Sequence, residues 1–366
     1  MTPDPSAKTA LLTAAVMGFF IVGCGAAIFG PALPVFARDF HLSTASAGWL
    51  VSTLWIGCLL GVGAMYFWSE RLSAQPGMAV MALGAAILAV APLWPVALAG
   101  AFIFGLGYGA IAALFNPRIL IAFGGRGPSM LSLINAVFSL GSIAAPYGFV
   151  LLGGNPRPVF GAIAVLAALA WGVAWKAGMT GVLPASAPKG FRPHVPILSL
   201  ALLAIGIEAS LGGLGPTALI RTGMDEVGAA RLLSLFFLVA LVTRLALIAI
   251  ATRVPAFGLF TFAALWAAAC ALLSIWVSPE IFFPALGVST GLFFQAEYIT
   301  ASRKMGDDPR VPSIILGNGL LGAVIFPVVY AKLMDGFGDF GLFWLIAIVA
   351  AAIGAVSLAQ YRAMSR

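Results

Sequence analysis

The sequence predicts an all-α polytopic membrane protein, with twelve transmembrane helices in two six-helix bundles related by a pseudo-twofold axis along the membrane normal. Three observations predict it. Of 366 residues, 62% are hydrophobic and only 8% charged; a soluble domain carries roughly 25% charged residues. Apolar runs bounded by Gly, Pro and charged turns recur along the whole chain, each near the about 20 residues that a spanning helix needs. The pattern of the first half returns in the second at an offset close to 182 residues. At about 30 residues per span and turn, the length accommodates about twelve spans and leaves no hydrophilic stretch for a separate soluble domain. The 43 glycines and 27 phenylalanines suit helix contacts and lipid-facing positions.

The predicted spans are roughly 11–36, 46–67, 78–95, 96–122, 128–152, 158–177, 196–220, 230–250, 256–277, 281–301, 312–333 and 341–361. In lipid the backbone must satisfy its own hydrogen bonds, and no alternating β-barrel pattern appears, so these runs are read as helices. The first begins after Lys8 and passes through Ile21-Val22-Gly23-Cys24, a run with the look of a lipoprotein cleavage box. It continues to about Phe36, too long for a signal core, and is taken as a span. Cys24, Cys58 and Cys270 lie in apolar runs and read as small core residues, not as disulfides or metal ligands.

The net charge of +7 comes from basic residues scattered singly in turns, a pattern that argues against nucleic acid as a partner. With the N-terminus inside, the cytoplasmic turns and tails hold Lys8, Arg71, Arg126, Lys176, Lys189, Arg192, Arg253, Arg303, Lys304, Arg310, Arg362 and Arg366. The outer turns hold Arg38, Arg157, Arg221, Arg231 and Lys332, giving twelve against five. The positive-inside rule therefore predicts both termini cytoplasmic. The expected setting is a bacterial-type plasma (inner) membrane, with the protein a monomer in the bilayer.

The longest polar break lies mid-chain, where Pro184, Pro188, Pro193 and Pro196 accompany Lys189 and Arg192. It divides the chain into an N-terminal bundle (1–180), a cytoplasmic linker (181–195) and a C-terminal bundle (196–366). Ala47 to Arg71 lies over Ala229 to Arg253 at an offset of 182, and Gly105 and Gly109 lie over Gly287 and Gly291 at the same offset. Leu140-Gly141 and Pro146 lie over Leu321-Gly322 and Pro327 at 181; Gly23 and Gly30 lie over Gly206 and Gly213 at 183. Parallel repeats of this kind build secondary transporters whose substrate site lies near the midplane at the repeat interface.

Phe19-Phe20 through Pro34, Phe40-His41-Leu42-Ser43, Asn116-Pro117, Met130 to Gly141, Gly206-Ile207-Glu208, Leu235-Phe236-Phe237 and Thr243-Arg244 together resemble the major facilitator superfamily, and within it the fucose/galactose–proton symporter branch. The resemblance runs along most of the chain and implies the fold and a transport activity. It does not carry that branch's coupling acids: Gly30 stands where its first helix has an Asp, and Ala112 where its fourth has a Glu. In the superfamily's signature turn, Glu70-Arg71 keep only the first pair of charges.

Of the twelve acids, only Glu208 and Glu297 fall within spans. Glu208 lies near the centre of the seventh span, where an isolated carboxylate costs at least ~2.5 kcal/mol. It must face a cavity, pair with a partner or take up a proton. It is the candidate proton-coupling and substrate-gripping acid; the plainer reading is a neutral Glu bonding a neighbouring helix. The stretch Gly206 to Gly215, followed by Pro216, would let the helix bend beside it. Glu297 reads as near the inner end of the tenth span, an inner-gate or interdomain ion pair or else a solvated helix end.

Arg244 reads as a structural ion pair with a helix end or turn acid, with substrate binding as the alternative. Arg118 reads as an attractor for an anion, an inner gate, or a side chain snorkelling to headgroups. Glu70 and Arg71 complete the gating candidates. The candidate substrate-binding set is Tyr108, Asn116, Asn135, Glu208, Gln295 and Asn318. Asn135 and Asn318 serve equally as interhelical glue, and the Gly105/Gly109 spacing beside Tyr108 most often means close helix packing.

No Cys/His metal spacing, phosphate-cradling loop or nucleophile elbow appears, so neither a catalytic residue nor a metal nor a cofactor is expected. The function expected is secondary active transport of a small, sugar-like polar solute by alternating access, coupled to protons. The alternative is an efflux pump for amphipathic compounds, with Phe115, Phe293, Phe294 and Trp55 lining an apolar cavity. A membrane enzyme or assembly factor would need a reactive cluster or a large exposed loop, and neither is visible.

Overall fold

The computed structural model describes residues 5–68, 72–180, 192–250, 254–306 and 311–364. Every regular element among them is helical. The helices are α1 (Pro5–Asp39), α2 (Thr44–Ala47), α3 (Trp49–Trp68), α4 (Ala74–Val90), α5 (Trp94–Phe123), α6 (Gly127–Leu151) and α7 (Pro156–Ala177), then α8 (Val195–Arg221), α9 (Glu226–Ile250), α10 (Ala256–Trp276), α11 (Pro279–Ala285), α12 (Gly287–Met305), α13 (Val311–Leu333) and α14 (Gly341–Met364). Ten are long and apolar enough to cross a membrane. The shorter apolar α4 and the α11–α12 pair complete the twelve expected spans. This is a multi-pass membrane protein.

Local chemistry sets the ends. Asn155 caps α7, its side chain accepting from the Arg157 N–H at 3.0 Å, with Pro156 in the first turn where a missing N–H is harmless. Ser43 caps the short α2 by accepting from the Ser46 N–H. His194 starts α8 in the same manner, ahead of Pro196. α1 runs without interruption through Cys24, and the three cysteines are buried free thiols. The expected tenth span is not one helix. Pro284, which cannot donate to the helical ladder, ends α11, and the chain restarts as α12 at Gly287.

The chain divides into two units, one of residues 1–42 and 49–186, the other of 43–48 and 187–366. Each buries its apolar side chains internally, and the two repeat one packing scheme. In the first, α1 packs on α6 and α7, α3 on α5, and α4 on α5 and α7. In the second, α8 packs on α13 and α14, α9 on α12, and α10 on α12 and α14. The glycines that allow close approach are repeated as well. A Cβ on Gly105 or Gly109 would meet the carbonyl oxygens of Leu54 and Cys58 at 2.1 and 2.0 Å. One on Gly287 or Gly291 would meet those of Phe236 and Ala240 at 2.2 and 2.9 Å. All four pairs stand 182 residues apart.

The same contacts correct the register of the first helix. Gly141 lies against the Phe20 carbonyl and Cys24 N–H, and Gly322 against the Leu202 carbonyl and Gly206 N–H. Gly206 thus corresponds to Cys24, not Gly23, and Glu208 to Ala26.

Within each unit the turns that the charge count placed together do gather at one end. In the first, Arg157 pairs with Asp39 at 3.5 Å and donates to the Ala91 carbonyl, joining the ends of α1, α4 and α7. In the second, Arg221 at the end of α8 pairs with Asp335 and donates to Thr44. At the opposite end, Lys304 donates to the Ala363 carbonyl at 2.8 Å.

Candidate functional site

The second unit holds both span acids and one of the two span arginines. Glu208 sits halfway along α8. The surrounding glycines are taken up by packing: a Cβ on Gly206 would strike the Phe326 ring, and one on Gly215 the Phe283 ring. The helix remains continuous past Pro216. Across from Glu208, on α9, Arg244 brings its Nη2 to 3.6 Å from Glu208 Oε1. That is a Coulombic contact, beyond hydrogen-bond range. Both side chains keep about a quarter of their surface open, 25% for Glu208 and 23% for Arg244. Glu208 Oε2 is buried without a hydrogen-bond partner among the described residues. Arg244 therefore meets an acid within a span, where the sequence had given it one at a helix end or turn.

Glu297 is displaced from its expected place. Reading 281–301 as a single span put it near the inner end. The helix instead runs on to Met305 and leaves eight residues of α12 beyond it, about 12 Å of helix. Its side chain is 0% exposed, and neither carboxylate oxygen has a hydrogen-bond partner among the described residues. It is not a solvated helix end. Its helix, α12, packs on both α8 and α9. Two carboxyls and a guanidinium thus lie on three mutually packed helices, α8, α12 and α9. Gln295, on the same helix, has its Oε1 buried without a partner among the described residues. Asn318 of α13 donates from Nδ2 to the Leu198 carbonyl at 2.7 Å, tying α13 to α8.

The first unit carries the remaining candidates. Tyr108 on α5 is buried and meets Trp55 of α3 edge to face, with ring centroids 5.6 Å apart. The Gly105/Gly109 spacing beside it serves the α3–α5 contact. Asn116 is part-buried, its Oδ1 without a hydrogen-bond partner among the described residues. Asn135 on α6 is exposed. Arg118 is 4% exposed and donates to the Leu72 carbonyl in the turn before α4, so it does not snorkel. Glu70 and Arg71 lie outside the described residues. Phe115 and Phe293, expected along an apolar cavity, are fully buried, Phe293 against Phe260. The hydroxyls of Thr217 and Tyr330 are buried without partners among the described residues. Neither was singled out from the sequence, because a lone hydroxyl in an apolar run gives no signal of where it points.

Residues 15–315 match the family model of the Major Facilitator Superfamily. The chain belongs to that superfamily. No curated protein sequence matches it. Among solved structures, the nucleoside transporter NupG aligns over 97% of this chain and 100% of its own at 16% identity and a TM-score of 0.78. A bacterial homologue of the human lysosomal transporter Spinster, inward-facing and occupied, aligns over 98% of each chain at 14% identity and a TM-score of 0.76. A D-xylose–proton symporter aligns over 94% and 97% at 13% identity and a TM-score of 0.73. Identities this low establish a shared fold. As a major facilitator protein the chain is a transporter.

Proposed function

We propose that this protein is a secondary active transporter that moves a small, sugar-like polar solute by alternating access, in symport with protons. The carrying observation is the cluster of Glu208, Glu297 and Arg244. Charges inside spans are costly and tend to mark ion and proton pathways. The two carboxyls here exceed the one guanidinium, so the cluster has room for one further positive charge. Glu208, open on one side, is the group that exchanges it with water. Tyr108, Asn116, Asn135, Gln295 and Asn318, with Glu208, form the proposed substrate set. Arg118 and Arg244 with Glu297, and with Glu70 and Arg71, form the proposed gates and ion pairs. The named activities of the D-xylose–proton symporter and of NupG support a polar, hydroxyl-rich substrate. Placement in the fucose/galactose–proton branch belongs to the same proposal. So do a division into bundles 1–180 and 196–366 with a cytoplasmic linker at 181–195, an inner-membrane location with both termini cytoplasmic, and a monomeric state.

The test is flux into proteoliposomes containing only this protein, with pentoses, hexoses and nucleosides as probes. An imposed inward proton gradient should drive accumulation that a protonophore abolishes. Glu208→Gln should lose that accumulation while still exchanging solute at equilibrium. Accumulation indifferent to the gradient, or unchanged by Glu208→Gln, would overturn the reading. Efflux of amphipathic dyes with no sugar or nucleoside flux would favour an exporter.

A further inference from the structure

We propose that a groove between α6 and α7, floored by α1, seats one acyl chain of a bilayer phospholipid. It lies within the first unit and uses none of the charged residues above, so it stands apart from the transport reading. Its lining is apolar throughout: Val16, Met17, Phe20 and Ile21 of α1, Val137 of α6 and Leu166 of α7. Together they bound about 180 Å³. An apolar cavity of about 150 Å³ stays dry and takes up benzene or xenon, so this volume suits a stretch of hydrocarbon, not water.

The packing explains why the groove exists. α6 and α7 each pack along α1 but scarcely on one another. The close seam between α1 and α6 lies further along both helices. There a Cβ on Gly23 would strike the Phe138 carbonyl, one on Gly141 would strike that of Phe20, and Ser142 donates to the Gly23 carbonyl at 3.1 Å. Val16, Met17 and Val137 lie on the N-terminal side of that seam, where no glycine draws α1 and α6 together. Gly18, in the same stretch of α1, faces Met78 and Phe115 instead.

Depth decides the occupant. Val137 is ten residues from the start of the 25-residue α6, and Leu166 ten from the start of the 22-residue α7. The groove thus lies about 15 Å along each, near the middle of a ~30 Å hydrocarbon core. Its rim is hydrocarbon as well: Leu133 and Leu140, a turn to either side of Val137, and Val165 and Leu169, beside Leu166, are exposed. Such a rim at such a depth admits neither a headgroup nor a water-soluble ligand. The lower part of an acyl chain reaches it. In lipid the gain on binding is packing, since the chain does not leave water. An unfilled groove leaves its lining without partner atoms, and a chain that fills it restores those contacts. A flat helix face touches a passing chain on one side, whereas here three helices surround it, so this chain is held longer than the lipid around it.

Native mass spectrometry of the full-length protein after extensive detergent washing, paired with thermal unfolding on adding palmitoyl-oleoyl phosphatidylethanolamine, tests this. The wild-type protein should keep one phospholipid per chain, and added lipid should raise its unfolding midpoint until one site is filled. Leu166→Trp fills the groove from its rim and should lose both the bound lipid and the lipid-dependent shift. Leu272→Trp, on the exposed surface of α10 in the other unit, should keep both. Should Leu166→Trp fail to fold, Leu166→Ala decides: it widens the groove, so it should keep the lipid and show a larger lipid-dependent shift than the wild type. Absence of bound lipid in the wild type, equal retention by Leu166→Trp, or a shift in Leu166→Ala no larger than that of the wild type would overturn the inference. So would an equal shift with decane, which carries no headgroup, or a dimer that Leu166→Trp dissociates, which would show a second copy covering the groove.

Discussion

Arg244 and Glu208 protect one another, so removing one partner should do more damage than removing both. Deleting one member of an ion pair leaves an uncompensated charge away from bulk water. Arg244→Gln alone should therefore lower the thermal unfolding midpoint in a fixed detergent further than Arg244→Gln with Glu208→Gln; equal losses would show that the pair is energetically irrelevant. Arg118→Met strips the Leu72 carbonyl of its donor and should cost about 1–3 kcal/mol, read as loss of stability without loss of substrate selectivity. Asn318→Ala removes an interhelical bond of a kind that averages ~0.6 kcal/mol, a smaller loss in the same assay. Glu208 was legible in the sequence because it is an acid midway along an apolar run. Its partner was legible only as a span arginine, since which side chains face one another depends on the rotation of α8 and α9. The burial of Glu297 was hidden by the span boundary: the helix continues to Met305 beyond the expected end near 301, so Glu297 is not at a helix end, and it is buried in the interior.

The helices themselves were largely legible, because twenty apolar residues in lipid have few alternatives to a helix. Their contacts were legible where small residues recur. Gly105 and Gly109 press on the backbone of α3, so Gly109→Ala has no flexible side chain to displace. It should destabilise by about 1–3 kcal/mol or more, as overpacking does. Gly63 lies in α3 with nothing within 4 Å of a would-be Cβ, and Gly63→Ala should be neutral or stabilising by up to ~1 kcal/mol. Matched unfolding curves in one detergent check both, and equal shifts for the two variants would contradict the packing account. The repeat offset of 182 was readable at Gly105, Gly109, Gly287 and Gly291. It slipped by one residue at Gly23 because glycine is common enough for a neighbouring match to look convincing. Residues Gly206 and Gly215 read as a bend; they turned out to be sockets for Phe326 and Phe283. Composition alone does not tell a flexible glycine from a crowded one.

Membership of the Major Facilitator Superfamily and the all-helical fold follow from features spread over hundreds of residues, which is why they could be read without coordinates. Substrate choice rests on a handful of side chains, and those are the part that the pattern leaves open. Orientation is set by the distribution of Lys and Arg over turns. A reporter that fluoresces only in the cytoplasm, fused after Arg366, should be bright, whereas one that is active only outside should be silent; the opposite pattern would invert the topology. The coupled mechanism makes a quantitative demand. If one proton accompanies each neutral solute and the membrane potential is held at zero, each unit of pH difference can support about a tenfold concentration ratio. The decisive measurement is therefore the steady-state accumulation ratio in proteoliposomes as a function of the imposed pH difference. A tenfold rise per pH unit, abolished by Glu208→Gln, is the expected result. A ratio fixed at one for the wild-type protein, with solute still equilibrating across the membrane, would contradict proton-coupled transport.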